Sequence, residues 1–201
     1  RYIRLLASYG TLALGIVVNG QNVYDMVYYW GNGFWVLIPF TLQMVMILVS
    51  GYIVASSKPV SAFLNKIASF AKTPGKAVVL LTLVSSIACW LNWGFGLIVG
   101  AFLCRSLIKS VPTLNYRVLV ASAYSGFLVW HGGFSGSIPL LLATPGNFSE
   151  QLVGNVLPLS ETLWSPLNVT AVLGLLILLP ITNYLMQHFS KTSNVQIHEE
   201  G

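Results

Sequence analysis

The chain has 201 residues, of which 55% are hydrophobic and 7% charged, with a formal net charge of +5 and a mean hydropathy of +0.75. A soluble domain carries about 25% charged residues, and the ten basic and five acidic side chains of this sequence are too few to cover a soluble core. The composition therefore excludes an ordinary soluble domain and predicts an integral membrane protein. The basic residues lie at the ends of apolar runs rather than in one tract, so we expect no nucleic-acid partner.

Five apolar runs predict an all-α, polytopic membrane protein with a single transmembrane domain over residues 1–201. About 20 helical residues cross the hydrocarbon layer, so the second and fifth runs are expected to be simple spans. The first run follows a basic start and precedes no small-residue cleavage pattern, which favours an anchored helix over a removable targeting segment. The runs cover 5–18, 34–55, 77–104, 118–143 and 167–186, and a cytoplasmic tail is expected over 187–201.

The charged residues predict how these runs cross the membrane, because short cytoplasmic loops collect Lys and Arg. If run 77–104 crossed once, the following loop with Arg105, Lys109 and Arg117 would face outward, against this rule. If that run enters and leaves on the cytoplasmic side, all ten basic residues lie inside. We therefore expect a re-entrant helical hairpin over 77–104 beside four transmembrane helices, and one long tilted helix is the alternative. The acidic residues then placed outside are Asp25, Glu150 and Glu161.

Two of the runs contain residues that break helices. Residues 90–94 divide the third run into arms of about 13 and 10 residues, or about 20 and 15 Å of helix, so each arm reaches the middle of the bilayer. Residues 131–139 of the fourth run include three glycines and Pro139, which are poor helix formers, and we expect the helix to unwind there. Unwound backbone at membrane depth needs protein or a water-filled cavity to satisfy its amides. The hairpin tip is therefore the expected neighbour of the unwound segment.

The two breaks predict a binding site at mid-membrane. A half-helix that begins there points free N–H groups and a partial positive charge at a small anion, and carbonyls freed where a half-helix ends can coordinate Na+. Since no Lys, Arg, Asp or Glu lies inside an apolar run, a monocarboxylate fits better than a multiply charged substrate. The predicted substrate-binding residues are Asn92, Gly133, Ser135, Gly136 and Ser137, and the predicted ion-coupling residues are Asn92, Gly94 and His131.

The two cysteines do not indicate a binding site. Cys89 and Cys104 lie inside apolar runs, without a CxxC spacing or a nearby histidine cluster. We interpret both as small buried hydrophobic residues, and we expect no disulfide and no metal site other than one for Na+.

The candidate site residues also have other interpretations. Asn92 can cap a helix, and His131 can be a hydrogen-bonded structural residue instead of a proton carrier. A hydrolase is a further alternative, because residues 133–136 match the GxSG of intramembrane serine proteases and His188 follows in the same chain order. We expect no enzyme, because His188 is predicted at the cytoplasmic end of its helix and Ser135 near mid-depth.

Two long stretches carry a resemblance to a known family. Residues 89–100, CWLNWGFGLIVG, and residues 119–146, LVASAYSGFLVWHGGFSGSIPLLLATPG, closely resemble the bacterial short-chain fatty acid transporter family. A weaker likeness runs from residues 28–35, YYWGNGFW, through residues 158–162, PLSET, to the last span. The resemblance therefore covers nearly the whole chain.

The resemblance implies symport of short-chain fatty acids such as butyrate or acetoacetate with Na+ or H+ across the bacterial inner membrane, without another cofactor. It also implies a superfamily of inverted repeats with re-entrant hairpins, in which Asn92, Gly94 and residues 135–137 belong to one ion and substrate half-site. Family members are longer, and no second copy of the break motifs is present here. We therefore expect an amino-terminal half whose partner is the missing carboxy-terminal half. Both termini are expected in the cytoplasm. The sequence leaves open whether the chain forms a homodimer.

Overall fold

A computed structural model of the chain describes residues 2–146 and 150–190. Within these residues the chain forms helices and no strand, which confirms the all-α prediction. The predicted tail from residue 191 onward lies outside the described residues. The helices are α1 (Tyr2–Val17), α2 (Val23–Ser56), α3 (Lys58–Ser69), α4 (Pro74–Leu91), α5 (Trp93–Ser110), α6 (Tyr116–Ser125), a 3₁₀ helix (Gly126–Gly132), α7 (Ser137–Leu142), α8 (Glu150–Val153), α9 (Leu159–Leu163) and α10 (Pro166–Phe189).

The chain divides into two compact units, Arg1–Met46 and Ile47–Gly201. In the first unit, α2 begins at Val23 rather than at residue 34 as the apolar run predicted. Asn22 Oδ1 accepts a hydrogen bond from Asp25 N at 2.8 Å, which is the interaction of a helix N-cap. Asp25 therefore lies in the first turn of α2, where its charge complements the helix dipole, and not in a loop as predicted.

The predicted break in the third run is present, and it produces an antiparallel helical hairpin. Asn92 alone joins α4 to α5, and its backbone is extended (φ −154°, ψ 122°). Gly96 packs against Cys89 and Gly100 packs against Ser85, so positions at equal distances from the tip face each other. Each arm has 18 residues, or about 27 Å of helix. The arms are longer than predicted because both helices continue beyond the apolar run into the flanking basic segments.

The two basic segments that flank the hairpin lie at the same end of the second unit. Ser106 Oγ on α5 donates a hydrogen bond to Asn65 Oδ1 on α3 at 2.7 Å. At this end, the backbone N–H of Asn115, which precedes α6, donates to Gln187 Oε1 near the end of α10 at 3.4 Å. The acidic helix α9, which contains Glu161, packs beside the other end of α10. Within the second unit, the basic segments beside the hairpin thus lie at one end and Glu161 lies at the other; the re-entrant path of the hairpin stays a prediction.

The segment between α2 and α4 contains the amphipathic helix α3. Leu64 and Ala68 are buried one turn apart, whereas Lys58 and Lys66 are exposed. Apolar residues at a spacing of about four positions form the buried stripe of a surface helix. The lysines of this segment concealed this periodicity in the sequence.

Four helices among the described residues, α2, α4, α5 and α10, are long and apolar enough to cross a membrane. Of these, α2 and α10 correspond to the predicted second and fifth spans, and α4 and α5 are the arms of the hairpin. The predicted first span corresponds to α1, which is shorter. The predicted fourth span is broken, as expected, into α6, the 3₁₀ helix and α7.

A buried amide ties the last span to the hairpin and to α6. Asn183 Nδ2 on α10 donates to Thr82 Oγ1 on α4 at 3.0 Å and to Ser125 Oγ at the end of α6 at 2.8 Å. Asn183 and Thr82 are both buried. Hydrogen bonds between apolar helices contribute about 0.6 kcal/mol on average, so this pair adds modest stability and fixes the register of three helices.

We expect Gly96→Ala to destabilise the chain by about 1–3 kcal/mol, because a Cβ at this position would overlap the backbone of Cys89. Thermal unfolding of the purified chain in detergent, followed by tryptophan fluorescence, measures this effect. Gly174→Ala is the matched control, since Gly174 lies inside α10 and a Cβ there meets no atom within 4 Å. The control should unfold at the wild-type temperature or slightly above it. Equal unfolding temperatures for the two variants would contradict the close packing of the hairpin.

Candidate functional site

The fourth run changes its helix type before it breaks. At Gly126, α6 gives way to a 3₁₀ helix that ends at Gly132, and residues 133–136 then lead to α7. The regular helix therefore ends earlier than predicted, and His131, which we expected in unwound backbone, lies in the 3₁₀ helix. Only glycine fits at the change, because a Cβ on Gly126 would lie 2.6 Å from Ser86 N on α4. Runs of 3₁₀ helix this long are uncommon and often mark functional hinges.

The hairpin tip and the broken run are joined by three hydrogen bonds. The Phe134 N–H donates to the carbonyl oxygen of Trp90 at 2.9 Å, and Trp90 Nε1 donates to the carbonyl oxygen of Gly132 at 3.0 Å. The Trp93 N–H, at the start of α5, donates to Ser135 Oγ at 3.0 Å. The expectation that the tip is the neighbour of the unwound segment is therefore confirmed. We call this contact the tip junction.

Asn92 is a helix cap in this structure. Its Oδ1 accepts a hydrogen bond from the Phe95 N–H at 3.0 Å, which satisfies one of the free amides at the start of α5. Gly94, two positions after Asn92, is buried against the side chain of Ile47 on α2. A cavity of about 310 Å³ borders this side of the tip, and Ser50 adds a hydroxyl to its wall beside Asn92 and Phe95.

The residues predicted on the broken run take three different positions. Gly133 is buried directly against the carbonyl group of Trp90, where a Cβ would overlap it. Gly136 is the N-cap of α7, and its N–H donates to the carbonyl oxygen of Gly133 at 3.0 Å. Ser137 is exposed at the first position of α7, which has six residues and therefore only a small dipole. The structure brings Gly133 and Ser135 to the hairpin tip, whereas Ser137 is exposed on α7.

Aromatic rings surround the tip junction. Trp130 Nε1 donates to the carbonyl oxygen of Ser135 at 2.6 Å, and the ring of His131 lies 4.3 Å from that of Trp130. The ring centroid of Trp93 lies 5.9 Å from Trp130 and 6.2 Å from Phe127. His131 itself is exposed. The hydrogen-bonded groups of the tip junction are thus flanked by aromatic side chains.

Asn168 is a junction residue that we did not predict from the sequence. Its Nδ2 donates to the carbonyl oxygen of Gly132 at 3.0 Å and to that of Leu163 at 2.9 Å. A polar amide near the start of an otherwise apolar run was the available signal. The Gly132 carbonyl therefore accepts two hydrogen bonds, one from Asn168 and one from Trp90 Nε1.

The geometry excludes the pairing of Ser135 with His188 that a serine hydrolase needs. Asn168, at the start of α10, contacts Gly132 at the tip junction. His188 lies 20 residues further along the same helix, which is about 30 Å. A base must lie within hydrogen-bond distance of its nucleophile. Ser135 Oγ instead accepts the hydrogen bond of the Trp93 N–H.

Comparison with known proteins assigns the chain to a family. The family model described as "Short chain fatty acid transporter" matches residues 2–200. The chain belongs to this family. No solved structure matches it.

Two relatives carry the same description as a provisional name. The chain is 44% identical over 182 residues to a provisionally named short-chain fatty acid transporter of Escherichia coli (strain K12), a match that covers 90% of this chain and 41% of the relative. It is 46% identical over 168 residues to a relative of the same provisional name in Haemophilus influenzae (strain ATCC 51907 / DSM 11121 / KW20 / Rd), covering 81% of this chain and 38% of that relative. The chain thus spans about two fifths of the length of each relative, which agrees with the predicted half.

We expect Trp90→Phe to loosen the tip junction, because it removes the Nε1 donor to Gly132 and keeps an aromatic ring. One such hydrogen bond contributes about 0.5–1.5 kcal/mol, so hydrogen exchange at the Phe134 amide should accelerate about three- to tenfold. Hydrogen-exchange mass spectrometry of the chain in detergent measures this rate. Trp164→Phe is the control, since Trp164 is exposed and the substitution keeps an aromatic ring. The centroid of the Trp164 ring lies 6.3 Å from that of Trp90. An exchange rate unaffected by Trp90→Phe would show that the bond does not hold the junction.

Proposed function

We propose that the chain contributes one ion and substrate half-site of a secondary active transporter, which carries short-chain fatty acids such as butyrate or acetoacetate into the cytoplasm together with a cation. The observation that carries this proposal is the tip junction, where two interrupted helices meet. Interrupted helices at a midplane site are the usual construction of substrate and ion sites in secondary transporters. The family and the names of both relatives support the substrate class.

The start of α5 supplies the anion-binding groups in this mechanism. The N–H groups of Trp93 and Phe95 point out of an 18-residue helix, whose dipole favours negative charge at that end. Both are now satisfied by side-chain oxygens of the protein, Ser135 Oγ and Asn92 Oδ1. A substrate carboxylate has two oxygens and would take the place of these two acceptors.

The same exchange gives a physical reason for coupling to a cation. When a carboxylate takes the two amides, Asn92 Oδ1 and Ser135 Oγ lose their donors and become available as oxygen ligands. Na+ is coordinated by such neutral oxygens together with backbone carbonyls. The substrate and the cation would then each create the binding partner that the other needs.

A proton is the other candidate for the coupling ion. His131 is exposed, and its ring lies 4.3 Å from that of Trp130, whose Nε1 donates to the carbonyl oxygen of Ser135. A histidine side chain is a common proton carrier in transporters. Na+ is favoured because the exchange described above leaves oxygen acceptors, which suit a metal cation.

The proposed depth of the site follows from the charges that flank the hairpin. Fifteen residues separate Lys76 from Asn92, and twelve separate Asn92 from Arg105, which is about 22 and 18 Å of helix. The hydrocarbon layer is about 30 Å thick, so with both charges at one surface the tip lies beyond the midplane but short of the far surface. This supports a re-entrant hairpin in an inner membrane with the basic end in the cytoplasm.

The remaining partner is the other part of the transporter. The chain spans about two fifths of its relatives, so we assign transport to the chain together with a carboxy-terminal half. In the inverted-repeat arrangement implied by the family resemblance, that half supplies a second hairpin and a second broken helix. The chain alone is assigned the binding step.

The proposed orientation can be tested with single cysteines in a Cys-free background, placed at the exposed positions Ser69, Ser110 and Ser160. An impermeant maleimide applied to intact cells should label Ser160→Cys, next to Glu161, and should label the other two only after the membrane is permeabilised. The reason is the grouping of basic segments at one end of the fold. Labelling of Ser110→Cys but not Ser69→Cys in intact cells would overturn the re-entrant hairpin.

The proposed site can be tested by binding, since Trp90, Trp93 and Trp130 report on the junction by their fluorescence. Butyrate should change this fluorescence in Na+ buffer and much less in choline buffer at the same pH. Asn92→Ala and Ser135→Ala should each raise the Na+ concentration for half-maximal butyrate binding about ten- to a hundredfold, since a bond to a charged group contributes about 1.5–3 kcal/mol.

Ser122→Ala is the control for both variants. Ser122 Oγ donates within α6 to the carbonyl oxygen of Val118 at 2.7 Å, before the break in the run, so its removal should leave the Na+ dependence unchanged. Wild-type Na+ dependence in Asn92→Ala and Ser135→Ala would place the site elsewhere. Binding that follows pH and ignores Na+ would assign the coupling to a proton.

A further inference from the structure

A groove on the surface of the second unit lies outside the tip junction. It runs between α5 and α6 and has a volume of about 600 Å³. We call it the α5–α6 groove. Its walls include Leu97, Ala101 and Arg105 from α5 and Tyr116, Val120 and Tyr124 from α6.

The groove has a polar end and an apolar end. The helices are antiparallel here, so Arg105 faces Tyr116 at one end and Leu97 faces Tyr124 at the other. Arg105 lies eight positions after Leu97, which is about 12 Å of helix. Small and apolar side chains line the length between them, so the groove is long enough for a substantial part of an acyl chain.

The polar end carries one positive charge. Arg105 is the charged residue of the groove wall and is exposed. No Asp or Glu is present in the sequence from Trp93 to Ser125, so neither helix supplies a carboxylate for it. Arg105 also belongs to the end of the unit where the basic segments gather. A guanidinium with nothing but apolar surface behind it is complementary to an anionic headgroup that carries a hydrocarbon tail.

The size and openness of the groove favour a membrane lipid over the transported substrate. A short monocarboxylate would fill a small fraction of the volume and would have no tail to occupy the end at Leu97 and Tyr124. Basic pockets between membrane helices near the cytoplasmic surface bind anionic phospholipid headgroups. We propose that the α5–α6 groove binds one anionic phospholipid, with the headgroup at Arg105 and Tyr116 and an acyl chain along Ala101 and Val120. The orientation in Proposed function decides only which leaflet supplies the lipid to this site.

The position of the groove gives this lipid a route to influence the hairpin. The ring of Tyr124 at its inner end stacks on Phe127 at 5.7 Å, and Phe127 lies 6.2 Å from Trp93 at the tip junction. An acyl chain in the groove would restrain α6 just before its change to 3₁₀ helix. The lipid is therefore placed to stabilise the break without contacting the substrate.

Native mass spectrometry of the purified chain in detergent, titrated with phosphatidylglycerol or phosphatidylcholine, tests the proposal. The first phosphatidylglycerol should bind more tightly than phosphatidylcholine, and Arg105→Gln should weaken it about fivefold, the effect of one basic residue at a membrane surface. Arg105→Lys should retain most of the affinity. Arg117→Gln is the charge-matched control, since Arg117 is exposed and lies outside the groove wall, and it should leave the affinity unchanged.

The acyl-chain part of the site has its own variant and control. Ala101→Leu fills the groove and should weaken phosphatidylglycerol about fourfold for each methylene group displaced, whereas Ala121→Leu, at an exposed position of α6 outside the groove, should not. Equal effects of Arg105→Gln and Arg117→Gln would reduce the attraction to net charge and overturn the site. Wild-type affinity in Ala101→Leu would also overturn the site. Displacement of the lipid by butyrate would overturn it too, because it would assign the groove to the substrate. Loss of butyrate binding at the tip junction with lipid binding intact would leave this proposal standing.

Discussion

The structure depends on one constraint, which is that backbone polar groups at a helix break inside a membrane must find partners without water. The second unit contains two helix breaks, at Asn92 and after Gly132, and each supplies hydrogen-bond partners to the other. The carbonyl of Trp90 accepts from one side of the broken run, and the hydroxyl of Ser135 accepts from the start of α5. Neither break would be tolerated alone, so the hairpin and the broken helix are a single structural element.

Close approach of the two breaks explains where small residues occur. Gly133 lies directly on the backbone of Trp90, and Gly126 lies on the backbone of α4, so that a Cβ at either position would force the elements apart. The same proximity leaves Ser85 and Ser86 of α4 with buried hydroxyls that have no hydrogen-bond partner among the described residues. Small side chains allow membrane helices to approach closely and gain dispersion energy. Here compactness takes precedence over full hydrogen bonding at two positions.

The bonds of the tip junction are also weak enough to be exchanged. A hydrogen bond between membrane helices contributes about 0.6 kcal/mol on average, whereas a bond to a charged group contributes about 1.5–3 kcal/mol. A carboxylate at the amides of Trp93 and Phe95 would therefore gain more than the side-chain oxygens of Ser135 and Asn92 lose. In the proposed mechanism, Asn92 and Ser135 would therefore cap the start of α5 without substrate and give way to a carboxylate when it binds. The 3₁₀ helix that ends at Gly132 is the element best placed to absorb the change.

The sequence by itself determined the class of the protein, the positions of both helix breaks and the grouping of the basic segments, because these follow from local composition: scarce charge, Asn92 between two apolar arms, and glycines with Pro139. It also indicated that the breaks are neighbours, since unpaired backbone leaves few alternatives. Only the tertiary structure decided the partners. That Ser135 accepts from Trp93 and that Asn168 reaches Gly132 depend on distances between residues more than 30 positions apart. The early change to 3₁₀ helix at Gly126 was likewise hidden, because its cause is the backbone of α4, which no local pattern can report.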